Sequence, residues 1–80
     1  MLKIEILYNG SIDKETLKKA HALRAKYDGK ANVGIMDISQ ETAPPKYGTV
    51  NAPTVVIDGK HAFKIEGPDN LSEIVRNAIF

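Results

Sequence analysis

Few side chains of this sequence combine the types and the spacing that catalysis needs. Hydroxyl and carboxyl groups gather after the first apolar stretch, at Tyr8, Ser11, Asp13 and Thr16. A nucleophilic serine needs a base held within hydrogen-bond reach, but no Ser-His-acid arrangement can be argued from this sequence. His21 falls beside apolar residues of a predicted helix, where a lone histidine is more often a packing residue. We therefore predict no catalytic residue.

The sequence contains no cysteine and only two histidines. Without cysteine, the chain can form no disulfide, thiolate nucleophile or thiolate metal site. Zinc sites take three or four protein ligands, and no acidic cluster accompanies either histidine. We therefore expect no bound metal ion and no cofactor.

The composition is that of one small globular domain. The 80 residues carry a net charge of +1, and a chain of this size leaves room for one sheet with a helix or two and no second domain. This charge gives no basic footprint for nucleic acid, and no apolar run approaches the roughly 18 residues of a membrane span. The sequence alternates like a strand from its start, unlike a signal peptide. We therefore expect a single domain over residues 1–80, cytoplasmic and monomeric, without nucleic-acid or membrane partners.

The residues around Asp13 lie between a predicted strand and a predicted helix. Alternating apolar side chains predict strand one over Leu2 to Tyr8. Leu7 breaks this alternation and indicates a central strand that is buried on both faces. Asp13 is a strong N-cap candidate for helix one, and Ile12 is placed to staple onto Leu17.

Helix one leads into a second strand. Its apolar residues recur at helical spacing, at Leu17, Ala20, Leu23 and Tyr27. Asp28-Gly29 is typical of a glycine C-cap, and apolar residues predict strand two over Asn32 to Ile38. A strand, a helix and a strand in this order predict a right-handed crossover and a parallel pair.

The second half of the chain predicts a hairpin followed by a helix. Pro53 lacks the N–H that a strand interior needs, so it opens the strand Thr54 to Ile57. Asp58-Gly59 before the strand-like residues Ala62 to Ile65 is a strong hairpin signal. Asp69 is an N-cap candidate for helix two. The apolar stripe of that helix contains Leu71, Ile74, Val75, Ala78 and Ile79.

These elements predict an α/β fold, βαβ then ββα. A four-stranded mixed sheet is packed by two main helices. Pro44-Pro45 limits any helix between strand two and Pro53 to a short or broken piece.

Three short segments carry a family resemblance. Tyr47-Gly48, Ala52-Pro53-Thr54 and Asp58-Gly59-Lys60 resemble the signature of the thioredoxin/glutaredoxin-like superfamily. The resemblance implies a thioredoxin-like fold with a cis Ala52–Pro53 bond, whose loop lines a substrate groove. The family's Cys-X-X-Cys motif aligns with Asp13-Lys14-Glu15-Thr16, so this chain resembles a small glutaredoxin-like protein without its redox motif. No thiol–disulfide oxidoreductase activity is expected.

The resemblance also implies a binding groove that needs no cysteine. Its ligand would be an extended peptide or a thiol-containing small molecule, held by main-chain hydrogen bonds at the Pro53 loop. The implied groove residues flank the start of helix one and the proline loop: Ser11, Ile12, Asp13, Thr16, Val50, Asn51, Ala52, Pro53 and Thr54. The resemblance therefore favours a binding or adaptor module. The alternative is that Pro53 serves the fold alone.

Two further alternatives concern the residues before helix one. Asp13 is either a carboxylate in the seat of the family's thiolate or an ordinary N-cap, and the sequence favours the cap. Tyr8 and Ser11 resemble the residues with which glutathione transferases, enzymes with an N-terminal domain of this fold, bind the glutathione thiolate. A cysteine-free, glutathione-transferase-like enzyme is therefore the alternative function, although Glu66 is followed by Gly67 where those enzymes have an acid-serine pair.

Overall fold

The computed structural model describes residues 2–40, 53–67 and 69–79. The elements are β1 (Leu2–Tyr8), α1 (Glu15–Lys26), β2 (Ala31–Asp37), β3 (Thr54–Ile57), β4 (His61–Lys64) and α2 (Asn70–Ile79). The strands form one four-stranded sheet in the order β2-β1-β3-β4. β1 pairs in parallel with β2 and antiparallel with β3, and β3 pairs antiparallel with β4. The predicted α/β class, mixed sheet and parallel first pair are confirmed.

β1 is the central strand, as Leu7 predicted. Ile4, Ile6 and Leu7 are each 0% exposed, and β1 lies between β2 and β3. Because successive side chains of a strand point to opposite faces, Leu7 is buried on the face opposite to Ile6. β1 is therefore buried on both faces at its end, whereas Lys3 and Glu5 form an ion pair earlier on the face of Leu7.

Both helices pack on the sheet face that carries Ile4 and Ile6. The core on this face joins side chains from β1, α1, β2, β3 and α2: Ile4, Ile6, Ala20, Leu23, Tyr27, Ala31, Val33, Val55, Ile57, Leu71 and Val75. Burial of this apolar area provides the main driving force for folding, at roughly 25 cal/mol per Å² removed from water. The predicted stripe of helix two is confirmed, with Leu71 and Val75 buried and Ile74, Ala78 and Ile79 partly buried.

The start of helix one differs from two expectations. The side chain of Ile12 is 84% exposed, so the predicted staple onto Leu17 is wrong. The N–H groups of Ile12 and Asp13 both donate to the carbonyl of Asn9, and this tight turn leaves Ile12 facing solvent. Thr16, 7% exposed, replaces the half-buried Leu17 as the buried residue of the first turn.

Both ends of two strands shift by one residue: β2 spans Ala31–Asp37 instead of Asn32 to Ile38, and β4 spans His61–Lys64 instead of Ala62 to Ile65. β2 begins at Ala31 rather than Asn32, since the chain turns tightly after α1. Gly29 has a φ of +84°, and the N–H of Ala31 donates to the carbonyl of Tyr27. β4 begins at His61 rather than Ala62, because His61 already pairs with Ile57 across the hairpin. The short or broken helix expected before Pro53 falls on residues outside the described ranges.

The hairpin turn has the backbone that Asp-Gly predicts. Asp58 and Gly59 have φ values of 53° and 69°, and positive φ at both central residues is what a type I′ turn requires. The side chain of Asp58 also accepts a hydrogen bond from the N–H of Lys3 at 3.0 Å. The turn is thereby tied to the first residues of β1.

We expect Asp58→Ala to lower the free energy of unfolding by about 1 to 2 kcal/mol, because alanine loses this hydrogen bond and tolerates positive φ poorly. Asp58→Asn is the matched control, since asparagine keeps an acceptor and also tolerates this backbone. Urea unfolding of the two variants measures the difference. Equal stability of both variants and the wild type would contradict the role given to Asp58.

Candidate functional site

The carboxylate of Asp13 caps the start of α1. Its Oδ1 accepts hydrogen bonds from the N–H groups of Glu15 and Thr16, both at 3.1 Å. Its Oδ2 accepts a bond from the hydroxyl of Thr16 at 2.6 Å. Lys14 already has near-helical backbone angles, with φ −104° and ψ −14°. Asp13, the residue before it, therefore acts as the N-cap. The predicted capping role of Asp13 is confirmed.

The electrostatics of Asp13 follow from these bonds. The hydroxyl of Thr16, followed by the backbone N–H groups of Thr16 and Glu15, lowers the pKa of the Asp13 carboxyl. The carboxylate is therefore ionised at neutral pH and uses two of the N–H donors that a helix start leaves unpaired. The carboxylate of Asp13 therefore already occupies the position at the N-terminus of α1 where an anionic ligand would bind.

The two residues before Asp13 lie in an exposed turn. The N–H of Ser11 donates to the side-chain Oδ1 of Asn9 at 3.0 Å, which is an Asx-turn. Both Ser11 and Ile12 are exposed. The structure therefore presents them to solvent beside the start of α1.

A second carboxylate, Asp37, joins the carboxyl ends of β1 and β2. Its Oδ1 accepts hydrogen bonds from the N–H of Gly10 at 2.8 Å, the N–H of Ser39 at 2.9 Å and the hydroxyl of Ser39 at 2.6 Å. The Ser39 hydroxyl, followed by the Gly10 N–H, lowers the pKa of Asp37. Sequence reasoning missed this cluster, although an Asp two residues before a Ser at a strand end is the local signal of such a turn.

Tyr8 lies near both carboxylates and is 7% exposed. Burial, followed by the charges of Asp37 and Asp13, raises the pKa of the Tyr8 phenol. The hydroxyl thus stays protonated at neutral pH. Tyr8 can donate a hydrogen bond but is poorly suited to act as a phenolate.

A groove of about 350 Å³ lies beside Pro53. We call it the Pro53 groove. It is lined by residues from α1, from the position before β3, from the connection between β4 and α2 and from α2 itself: Glu15, Thr16, Lys19, Pro53, Ile65, Glu66, Gly67 and Leu71. Pockets of this size are at the lower end of those that hold small ligands.

Hydrogen bonds hold the far wall of the Pro53 groove in place. The N–H of Ile65 donates to the carbonyl of Pro53 at 2.9 Å, which extends the β3–β4 ladder by one pair. The N–H of Glu66 donates to the side chain of Asn70 at 3.0 Å, and the N–H of Asn70 donates to the carbonyl of Gly67 at 3.2 Å. The wall is therefore fixed between the hairpin and the start of α2.

Of the predicted groove residues, Thr16 and Pro53 line the Pro53 groove. Ser11, Ile12 and Asp13 are not among its described lining residues, and neither is Thr54, which is buried at the start of β3 with 7% exposure. Val50, Asn51 and Ala52 lie outside the described residues, so the cis Ala52–Pro53 bond remains a prediction. Sequence reasoning did not place Ile65, Glu66, Gly67 and Leu71 at this groove.

The described residues contain no group of three metal-ligating side chains. Neither α1 nor α2 has the length and apolar character of a membrane span. No protein-family model matches the sequence, and a search of curated proteins finds no significant match.

We expect Asp13→Ala to lower the free energy of unfolding by about 0.5 to 2 kcal/mol, because two N–H groups lose their cap. Asp13→Asn, the matched control, keeps an acceptor and should lie between Asp13→Ala and the wild type. Thermal unfolding at neutral pH gives the order. An Asp13→Ala variant as stable as the wild type would contradict the cap.

The advantage of the wild type over Asp13→Asn should also depend on pH. Because folding lowers the pKa of Asp13, its contribution to stability is present above the ordinary aspartate pKa of about 3.9 and is lost as the pH falls through the lower folded value. Unfolding measured from neutral pH into acid should show the two proteins converge. A difference that stays constant over this range would contradict the lowered pKa.

Gly10 leaves no space for a side chain. A Cβ added there would overlap the carboxylate of Asp37, whereas one added at Gly34 would meet its nearest atoms at 3.9 Å. We expect Gly10→Ala to cost about 1 to 3 kcal/mol and the control Gly34→Ala to be neutral or slightly stabilising. Chemical denaturation checks both, and a neutral Gly10→Ala would contradict the close approach of Asp37.

Proposed function

We propose that this protein is a redox-inactive member of the thioredoxin/glutaredoxin-like superfamily that acts as a binding or adaptor module through the Pro53 groove. The observation that carries the proposal is that Thr16, from the start of α1, and Pro53 line one groove. These are the two places that the family resemblance assigns to a ligand. The strand order β2-β1-β3-β4 with a parallel β1–β2 pair supports the proposed fold.

The chemistry of the groove favours binding over catalysis. The chain has no cysteine, so thiol–disulfide exchange has no attacking thiolate. The lining supplies an apolar surface from Pro53, Ile65 and Leu71 together with the charged side chains Glu15, Lys19 and Glu66. An apolar cleft with a few polar groups at its rim is typical of a ligand site.

An extended peptide segment is the ligand that this shape supports best. The groove lies between the start of α1 and the end of an antiparallel hairpin, and each of these two walls carries an exposed residue, Glu15 and Glu66. Peptide recognition of this kind relies on pockets for individual side chains beside a rigid backbone. A thiol-containing small molecule is the second ligand class that the resemblance implies.

The glutathione-transferase-like alternative has less support. Neither Tyr8 nor Ser11 is among the described residues that line the Pro53 groove. The negative charges of Asp37 and Asp13 near Tyr8 also oppose the stabilisation of a thiolate there. We therefore expect glutathione conjugation to a thiophilic electrophile to run at the rate of a blank without protein.

The proposal is tested by an NMR titration with an end-capped hexapeptide of alternating valine and glutamine. Backbone amides of Thr16, Ile65, Glu66 and Gly67 should shift together and saturate at millimolar peptide or below. Lys18 and Arg24, exposed on α1 and absent from the lining, should not respond. Shifts confined to α1 outside the groove would contradict the proposal.

Gly67 offers a matched pair of variants for this titration. A Cβ at Gly67 meets no atom within 4 Å, so Gly67→Ala should fold and bind like the wild type. Gly67→Phe adds a ring that can enter the groove and compete with the peptide, and the titration should then show weaker binding. Equal binding by both variants would locate the peptide elsewhere.

A further inference from the structure

We propose that the Pro53 groove selects an extended peptide segment that carries a basic side chain and discriminates against an anionic one. This inference rests on the proposed function and names its ligand class. It follows from three features of the groove: the signs of the charges on its walls, the occupied start of α1 and the apolar floor.

The charges on the walls favour a cation. Glu15 in the first turn of α1 and Glu66 after β4 contribute a carboxylate from each side of the groove, and Lys19 contributes one positive charge. The described lining is thus negative by one unit, although the whole chain has a net charge of +1. The attraction of a basic peptide therefore comes from the charges that line the groove and not from the net charge of the whole chain.

The start of α1 adds to this preference. An unoccupied helix start attracts anions through its free N–H groups and its dipole. Here Oδ1 of Asp13 already accepts from the N–H groups of Glu15 and Thr16, and Oδ2 accepts from the Thr16 hydroxyl. A carboxylate or thiolate that approached Thr16 would meet a negative charge in place of hydrogen-bond donors.

The floor explains why the ligand is a peptide segment rather than a simple cation. Leu71 is 1% exposed and lines the groove beside Pro53 and Ile65. Removal of this apolar surface from water favours binding only when an apolar group of the ligand covers it. A segment with an aliphatic residue next to a lysine or arginine matches both the floor and the rim.

The experiment compares three end-capped hexapeptides that are identical except for a central Lys, Gln or Glu between valines. NMR titration gives the affinity of each for the wild-type protein. We expect the order Lys, Gln, Glu, with each step about two- to five-fold, as for exposed charge pairs. The preference should diminish at high salt, which screens exposed charges.

Variants assign the preference to the groove. Glu66→Gln and Glu15→Gln should each reduce the ratio of Lys-peptide to Gln-peptide affinity toward one. Glu73→Gln is the matched control, because Glu73 is exposed on α2 and is not in the described groove lining. It should leave the ratio unchanged.

The outcomes separate the inference from the function on which it rests. Groove shifts with the Gln peptide but no preference for Lys would overturn the charge selectivity and leave the binding module intact. A Lys preference that survives both glutamate variants would also overturn it. If none of the three peptides shifts the groove amides, the proposed function fails together with the inference.

Discussion

The strand β1 is the centre of the sheet and pairs with both β2 and β3. It is hydrogen-bonded on both sides, its side chains are buried on both faces at Ile6 and Leu7, and carboxylates from two distant turns accept hydrogen bonds at its two ends. Asp58 accepts from the N–H of Lys3 at the start of the strand, and Asp37 accepts from the N–H of Gly10 just after it. Because the two bonds span 55 and 27 residues of sequence, they set the hairpin and the end of β2 relative to β1.

The Pro53 groove depends on this arrangement. β1 places the start of α1 at one end of the sheet, and the β3–β4 hairpin returns the chain to that same end. Ile65 then pairs with Pro53, and Gly67 accepts the first N–H of α2. The groove is therefore built where three connections meet, with hydrogen-bonded backbone in its far wall. Because this wall is already ordered, the protein loses less conformational entropy when a segment binds.

Local signals of the sequence predicted much of the fold. β1 and β3 begin and end where alternation and Pro53 indicated, and Asp58-Gly59 forms a turn with positive φ at both residues. The error in the first turn of α1 arises where a side-chain hydrogen bond competes with the hydrophobic pattern. Thr16 is buried in place of Leu17, because its hydroxyl is satisfied by Asp13 and its methyl group can then face inward.

The candidate site was only partly predictable, for a different reason. Thr16 and Pro53 carry local signals, namely a helix start and a strand opening, and both line the groove. Glu66 and Gly67 reach it only through the tertiary path of the hairpin, which no local pattern encodes. The Gly10–Asp37 contact likewise requires the parallel register that pairs Tyr8 with Asp37.

The hydrogen bond between Asp13 and Thr16 constrains how this sequence can change during evolution. Replacing either residue alone leaves a buried hydroxyl or a charged carboxylate without its closest partner. Among homologues, positions 13 and 16 should therefore covary, so that a substitution at one position is accompanied by a substitution at the other.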